Sequence, residues 1–404
     1  MFSLDRFYHV VHDNLVSKFN QSQSLFFYPF GTYDGIDLLY NEAPIMRNKH
    51  EIYIKSFFHC YFFDQEPYYD YSLDIFKNSF SQYRDNTNRP NRISILANSE
   101  KSEMKSNFIR SERLYDWYYF FHGFAALDWY RDFQYMNSNS FNRFTKVFIC
   151  YNHLISKYRS YRLHLVGNLI EQDLVRHGRV SLFLRDDIGT WQDEIVNPDC
   201  LLDSRARVKI QKSLSTLNGP LVIDTEKPHG ALSADVNFTD LTSSLWHVVT
   251  ETVYFLPKLH LTEKIFKPII AKRPFILVAA PGNLAYLKSY GFKTFDRWID
   301  ESYDNETDNY VRIERITAEI ARLCAMPMDK LKIMHAEMQE VLEYNFNYFY
   351  GNFKNTIVNE LVDNFAGVLG QINNGRQPNN HSRYHKRFEL SPEYLLEVKK
   401  RLSK

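Results

Sequence analysis

The chain has 404 residues and a formal net charge of +1, so no global field draws in nucleic acid or an anionic membrane. That length exceeds one compact core and suits two or three domains. Hydrophobic residues at 44% and charged residues at 24% exclude a mostly disordered chain, and 14 glycines are too few for repeated glycine-rich phosphate loops. Cys60, Cys150, Cys200 and Cys324 are widely spaced, which predicts free buried thiols rather than a zinc ribbon or a dense disulfide framework. The N-terminal MFSLDRFYHVVHDN lacks the apolar run of a signal peptide, and no stretch reaches about 18 uninterrupted apolar residues. A cytoplasmic protein is expected.

Residues 1–143 are rich in Tyr, Phe, Asn and Ser. Ser24–Tyr28, Tyr53–Phe63 and Ile93–Ala97 read as buried strands, with a polar stretch between Phe63 and Arg92. Tyr115–Phe121 is another apolar run, and His122-Gly123 follows it. This mixture predicts an α/β domain. A second α/β pattern starts near Phe144 and runs to residue 370. Lys146–Tyr151, Val180–Leu184, Leu221–Asp224, Leu245–Thr250 and Pro274–Ala280 read as strands. Arg159–Arg176 has helical spacing, with Gly178 as its cap, and Thr262–Ala271 reads as a helix opened by a Thr cap. The alternation predicts a parallel sheet covered on both faces. Residues 371–404 read as a polar linker, Gln371–Arg383, and a last helix opened by Ser391-Pro392-Glu393.

The segment from Val248 to Phe295 carries the most chemistry. Thr262-Glu263-Lys264 at a helix start places backbone N–H groups and an ammonium together, a combination that suits a diphosphate. Ionised Glu263 accepts hydrogen bonds only, so it can hold sugar or ribose hydroxyls. The plainer reading is a capping Glu and a surface Lys. Arg159 and Arg162 follow the Phe148–Asn152 strand and turn; alone, two arginines on a helix are more often a solvated face. Tyr61–Phe63 ends in Asp64-Gln65-Glu66-Pro67, carboxylates at a strand end, where open α/β sheets bind ligands. His122 at the end of the Tyr115–Phe121 run is a further candidate.

These motifs resemble the α-1,3-fucosyltransferases and, more strongly, a group of often phage-encoded glycosyltransferase-like proteins. The likeness rests on Glu251-Thr252, His260-Leu261-Thr262-Glu263-Lys264, Lys267-Pro268, Pro274-Phe275, Ala280-Pro281-Gly282-Asn283, Gly291–Phe295 and Asp300–Asp304. Glu66-Pro67 resembles the Glu-Ser-Pro of the fucosyltransferases. Thr252-Val253 and His260-Leu261 depart from the fucosyltransferase pattern.

The resemblance implies a GT-B-like α/β fold: two Rossmann-like domains facing across a cleft, with the last helix returning to the first domain. It implies inverting transfer of a sugar from a GDP- or UDP-linked donor to an acceptor hydroxyl. Glu66 would be the base, with Asp64 and His122 as the other catalytic candidates. Asn152, Arg159, Arg162, Glu251, Thr262, Glu263, Lys264 and Lys267 would bind the donor. No Asp-x-Asp occurs, so no metal or other cofactor is expected. The acceptor would be a glycan or a hydroxymethylated pyrimidine in phage DNA, in a bacterium or a phage-infected host. The basic stretches Arg89–Arg92 and Lys101–Arg113 and the C-terminal Lys/Arg cluster could touch DNA phosphates. The competing classes are a non-catalytic nucleotide-sugar-binding module and a nucleic-acid-binding accessory protein.

Overall fold

The computed structural model describes residues 4–11, 14–15, 58–70, 73–74, 77, 93–135, 144–223, 234–374 and 390–404. The strand expected at Ser24–Tyr28, residues 53–57 of the next, Arg89–Arg92, Asp224 and most of the linker lie outside them. The protein is mixed α/β with parallel sheets. The chain divides into two compact units: Met1–Arg131 with Lys354–Lys404, and Asp132–Phe353.

The first unit holds a parallel sheet of β1 (Phe58–Phe63), β2 (Ile93–Asn98) and β3 (Tyr115–Tyr118), in that order. Cys60 pairs with Ile95, and Ile95 with Tyr115. All six residues of β2 are buried, Ser94 and Asn98 included, as in a parallel strand covered on both faces. The crossover to β3 is the helix Glu103–Glu112. Ser102 caps it by accepting the Lys105 N–H at 3.1 Å, and Arg113 closes it in the left-handed region at φ 55°.

The long helix Phe353–Asn373 enters this unit at Lys354. The Trp117 indole donates to the Leu361 carbonyl at 3.0 Å, the Asn364 amide donates to Tyr118 O at 2.8 Å, and Phe365 packs on Trp117. These contacts put residues 354–370 with β3, not with the second domain to which composition assigned them. The last helix is Pro392–Ser403, capped by Ser391 with Pro392 in its first turn. It lies in the first unit, where Arg401 donates to Asn14 Oδ1 at 2.8 Å.

The second unit holds four parallel strands in the order β5-β4-β6-β7: β4 (Lys146–Cys150), β5 (Gly178–Val180), β6 (Ser244–Thr250) and β7 (Phe275–Val278). Cys150 pairs with Val180 on one side and Val248 on the other, and Thr250 pairs with Val278. The chain leaves β4 toward β5 on one side, then returns to lay β6 on the other. The order therefore reverses between β4 and β6, and this is the place where open parallel sheets bind ligands.

Three local readings change. The helix after β4 is Tyr161–Glu171, and Asp173 at φ 54° ends it, not Gly178. Gly178 opens β5, where a Cβ would stand 2.4 Å from the Phe148 ring; tertiary packing demands that glycine. The strand expected at Val180–Leu184 ends at Val180, because Leu182 turns away to bridge Leu221. The segment after Thr262 is a 3-10 turn, Glu263–Ile265, followed by a five-residue helix, Phe266–Ile270. Helices Asn309–Cys324, Met328–Glu337 and Gln339–Tyr350 complete the unit.

All four cysteines are free and buried. Among the described residues no helix is long and apolar enough to cross a membrane.

Candidate functional site

The carboxyl ends of β4 and β6 are laced together in the second unit. The Thr250 hydroxyl donates to the Tyr151 carbonyl at 2.8 Å across the reversal point. Asn152, immediately after β4, donates its backbone N–H to Ser181 Oγ at 2.9 Å and its amide to Ser181 O at 3.1 Å. That ties it to the continuation of β5. Its Oδ1 is buried without a hydrogen-bond partner.

Arg162 sits in the first turn of the helix Tyr161–Glu171 and is almost wholly buried. Its Nη1 donates to Leu154 O at 3.0 Å, and its Nη2 faces Thr250 O at 3.3 Å and Glu251 O at 3.5 Å. Both Nη atoms of the guanidinium thus meet backbone carbonyls. These bonds fix the end of β6, and Nε is left buried without a hydrogen-bond partner among the described residues. Tyr161 adds to the clamp: its hydroxyl donates to Glu251 O at 2.5 Å, and its ring stacks on Tyr254 at 4.3 Å. Sequence reasoning missed Tyr161, although it adjoins Arg162, because an aromatic on a buried helix looks like ordinary core.

Glu251 is wholly shielded from solvent. Its carboxylate accepts the Thr262 N–H at 3.2 Å, the Thr262 hydroxyl at 2.6 Å and the Thr252 N–H at 3.3 Å. Thr262 in turn caps the 3-10 turn, and its Oγ1 lies 3.2 Å from the Lys264 ammonium. Lys264 Nζ also meets Thr252 Oγ1 at 3.4 Å and Glu263 Oε1 at 3.4 Å. Its side chain is 33% exposed, whereas Glu263 is buried at 4%. Arg162, Glu251, Thr262, Glu263 and Lys264, drawn from three distant segments, therefore form one connected group at the reversal point. Lys264 is the cation in it that solvent reaches.

Two expected members make no hydrogen bond to the group, although Lys267 lies within electrostatic reach of Glu263 and Lys264. Lys267 is half-buried and donates to Asp235 O at 2.8 Å; burial pulls its ammonium down to about 8. Arg159 ends a 3-10 turn, half-buried, and makes no side-chain bond to the group. The helix after Thr262 has only five residues and is preceded by a 3-10 turn, so few aligned peptide units stand behind Thr262.

In the first unit, Asp64 follows β1 and is buried; its Oδ2 accepts the Tyr119 hydroxyl. His122 is also buried, and its Nε2 lies 2.8 Å from Gln65 O. The Tyr68 N–H donates to buried Glu100 at 2.8 Å, and the Tyr68 hydroxyl donates to Phe63 O at 3.0 Å. The turn after β1 is thus held at Asp64, Gln65 and Tyr68. Half-buried Glu66 between them makes no hydrogen bond or ion pair among the described residues. Asp64 and His122 shape the turn; Glu66 is the carboxylate left available.

Within Lys101–Arg113, Lys105 is buried and ion-paired to Asp116 at 2.7 Å, so it is not presented to a nucleic acid. In the terminal cluster, Lys399 pairs with Asp363 at 2.8 Å and Arg401 with Glu397 at 2.9 Å. Among the described residues no group of three or more His, Cys, Asp or Glu is placed to hold a metal ion.

Comparisons of the chain with protein-family models, with curated proteins and with solved structures found no match.

Proposed function

We propose that the second unit binds the diphosphate of a nucleotide sugar, and that the protein is a glycosyltransferase of GT-B-like architecture. The observation that carries this reading is the convergence of Arg162, Glu251, Thr262, Glu263 and Lys264 at the sheet's reversal point, with the Lys264 ammonium held by two threonine hydroxyls. An ammonium oriented in advance stabilises charge on a departing diphosphate without reorganising as it develops. Glu263, beside it, has the acceptor chemistry to hold sugar or ribose hydroxyls.

In this reading the donor is GDP- or UDP-linked and transfer is inverting, without a metal. Glu66 removes the acceptor proton as the hydroxyl attacks the anomeric carbon. The acceptor is a glycan or a hydroxymethylated pyrimidine of DNA. A thermal-shift panel of nucleoside diphosphates and their sugars tests the reading, because a specific ligand raises the melting temperature by mass action. At least one member of the panel should raise it. No shift across the panel would remove the support for a transferase. A nucleotide hit with neither transfer nor slow donor hydrolysis would favour a binding module.

A further inference from the structure

Both oxygens of the Glu251 carboxylate are committed inside the protein. Oε1 accepts the Thr262 N–H at 3.2 Å, while Oε2 accepts the Thr252 N–H at 3.3 Å and the Thr262 hydroxyl at 2.6 Å. With no exposed surface, it cannot touch a ribose or sugar. A hydroxyl has one proton and two lone pairs. The Thr262 proton goes to Glu251, so its lone pairs face the Lys264 ammonium at 3.2 Å and the Lys264 backbone N–H at 3.4 Å. The backbone of Glu251 is itself anchored, since its carbonyl takes the Tyr161 hydroxyl at 2.5 Å.

We infer that Glu251 is a positioning residue: it sets the direction of the Thr262 hydroxyl, and that hydroxyl sets the Lys264 ammonium for a diphosphate oxygen. The inference rests on the reading of Lys264 as the anion-facing cation. It moves Glu251 and Thr262 from the list of donor ligands to the frame that orients one.

The chemistry distinguishes the variants. In Glu251→Gln the volume is kept, but whichever way the carboxamide turns, its NH2 group meets an N–H or O–H donor. Thr262→Val keeps the shape and deletes the hydroxyl, whereas Thr262→Ser keeps the hydroxyl.

The test uses the full chain and limited reductive methylation, read lysine by lysine by peptide mass spectrometry, with exposed Lys332 as internal reference. Pyrophosphate affinity is measured in parallel by calorimetry. Lys264 should be methylated about tenfold faster in Glu251→Gln and Thr262→Val, and pyrophosphate should bind them about tenfold more weakly, the equivalent of one lost hydrogen bond. Thr262→Ser should recover the slow rate that Thr262→Val loses, and Lys332 should not respond. An unchanged Lys264 rate in Thr262→Val would overturn the inference, and this variant decides the matter even where Glu251→Gln fails to fold. If the wild type does not bind pyrophosphate, the reading of Lys264 as an anion site fails separately, while the methylation rates still report whether Glu251 holds it.

Discussion

Replacing Arg162 separates two roles that the sequence could not distinguish. A phosphate ligand can be removed with little effect on stability; a staple cannot. The Arg162 guanidinium meets three backbone carbonyls, two of them at 3.0 and 3.3 Å and the third at 3.5 Å. Hydrogen bonds to a charged donor contribute about 1.5–3 kcal/mol each, and buried acceptors left bare add a penalty. Arg162→Met keeps the aliphatic stem and loses every donor. It should destabilise the second unit by roughly 3–5 kcal/mol, which moves a urea midpoint down by more than about 1 M. Tryptophan fluorescence can follow this unit, because Trp191, Trp246 and Trp298 lie in it. Arg162→Lys should fall between, since one ammonium cannot span the same carbonyls. A stability within about 0.5 kcal/mol of wild type, together with lost nucleotide binding, would refute the staple and favour Arg162 as a ligand.

Gly178→Ala forces a Cβ to 2.4 Å from the Phe148 ring and should cost about 1–3 kcal/mol in denaturant titration. Phe148→Leu in the same chain should return part of it; simple additivity would argue against the clash. Burial holds His247 down at about 3 and His335 at about 4, while an unfolded histidine titrates near 6.5. Below about pH 6.5 the unfolded chain therefore takes up protons that the fold refuses, and stability should fall as the pH drops toward 4, by up to about 1.4 kcal/mol per histidine per pH unit. Equal urea midpoints at pH 7 and 5 would contradict this. Glu66→Gln should keep nucleotide binding and lose transfer. Loss of binding instead would remove Glu66 from the base role.

Much of the framework was legible because its causes are local. Ile93–Asn98, Lys146–Cys150 and Ser244–Thr250 are largely buried parallel strands, and such strands announce themselves as short, predominantly apolar runs. Ser391 followed by Pro392 marked the last helix through its cap. The misreadings had tertiary causes. Gly178 is required by the Phe148 ring across the sheet, and Asp173 took the left-handed role at the helix end. Residues 354–370 belong with the first unit because Trp117, more than 200 positions earlier, reaches the Leu361 carbonyl.

The candidate site divides the same way. The residue types at 162, 251 and 262–264 could be picked out from the motif, but their division of labour could not. Backbone carbonyls, which occupy Arg162, leave no trace in sequence. The Glu251–Thr262–Lys264 relay depends on which oxygen faces which donor, and that is fixed only by the fold.

Calorimetric titration of nucleoside diphosphates into wild type and Lys264→Ala tests the central claim most directly. The account predicts one-to-one binding of at least one diphosphate to the wild type, weakened about 10–100-fold in the variant, as expected for one charge-assisted contact. Equal affinity for the two proteins, or no binding of any diphosphate to the wild type, would contradict it.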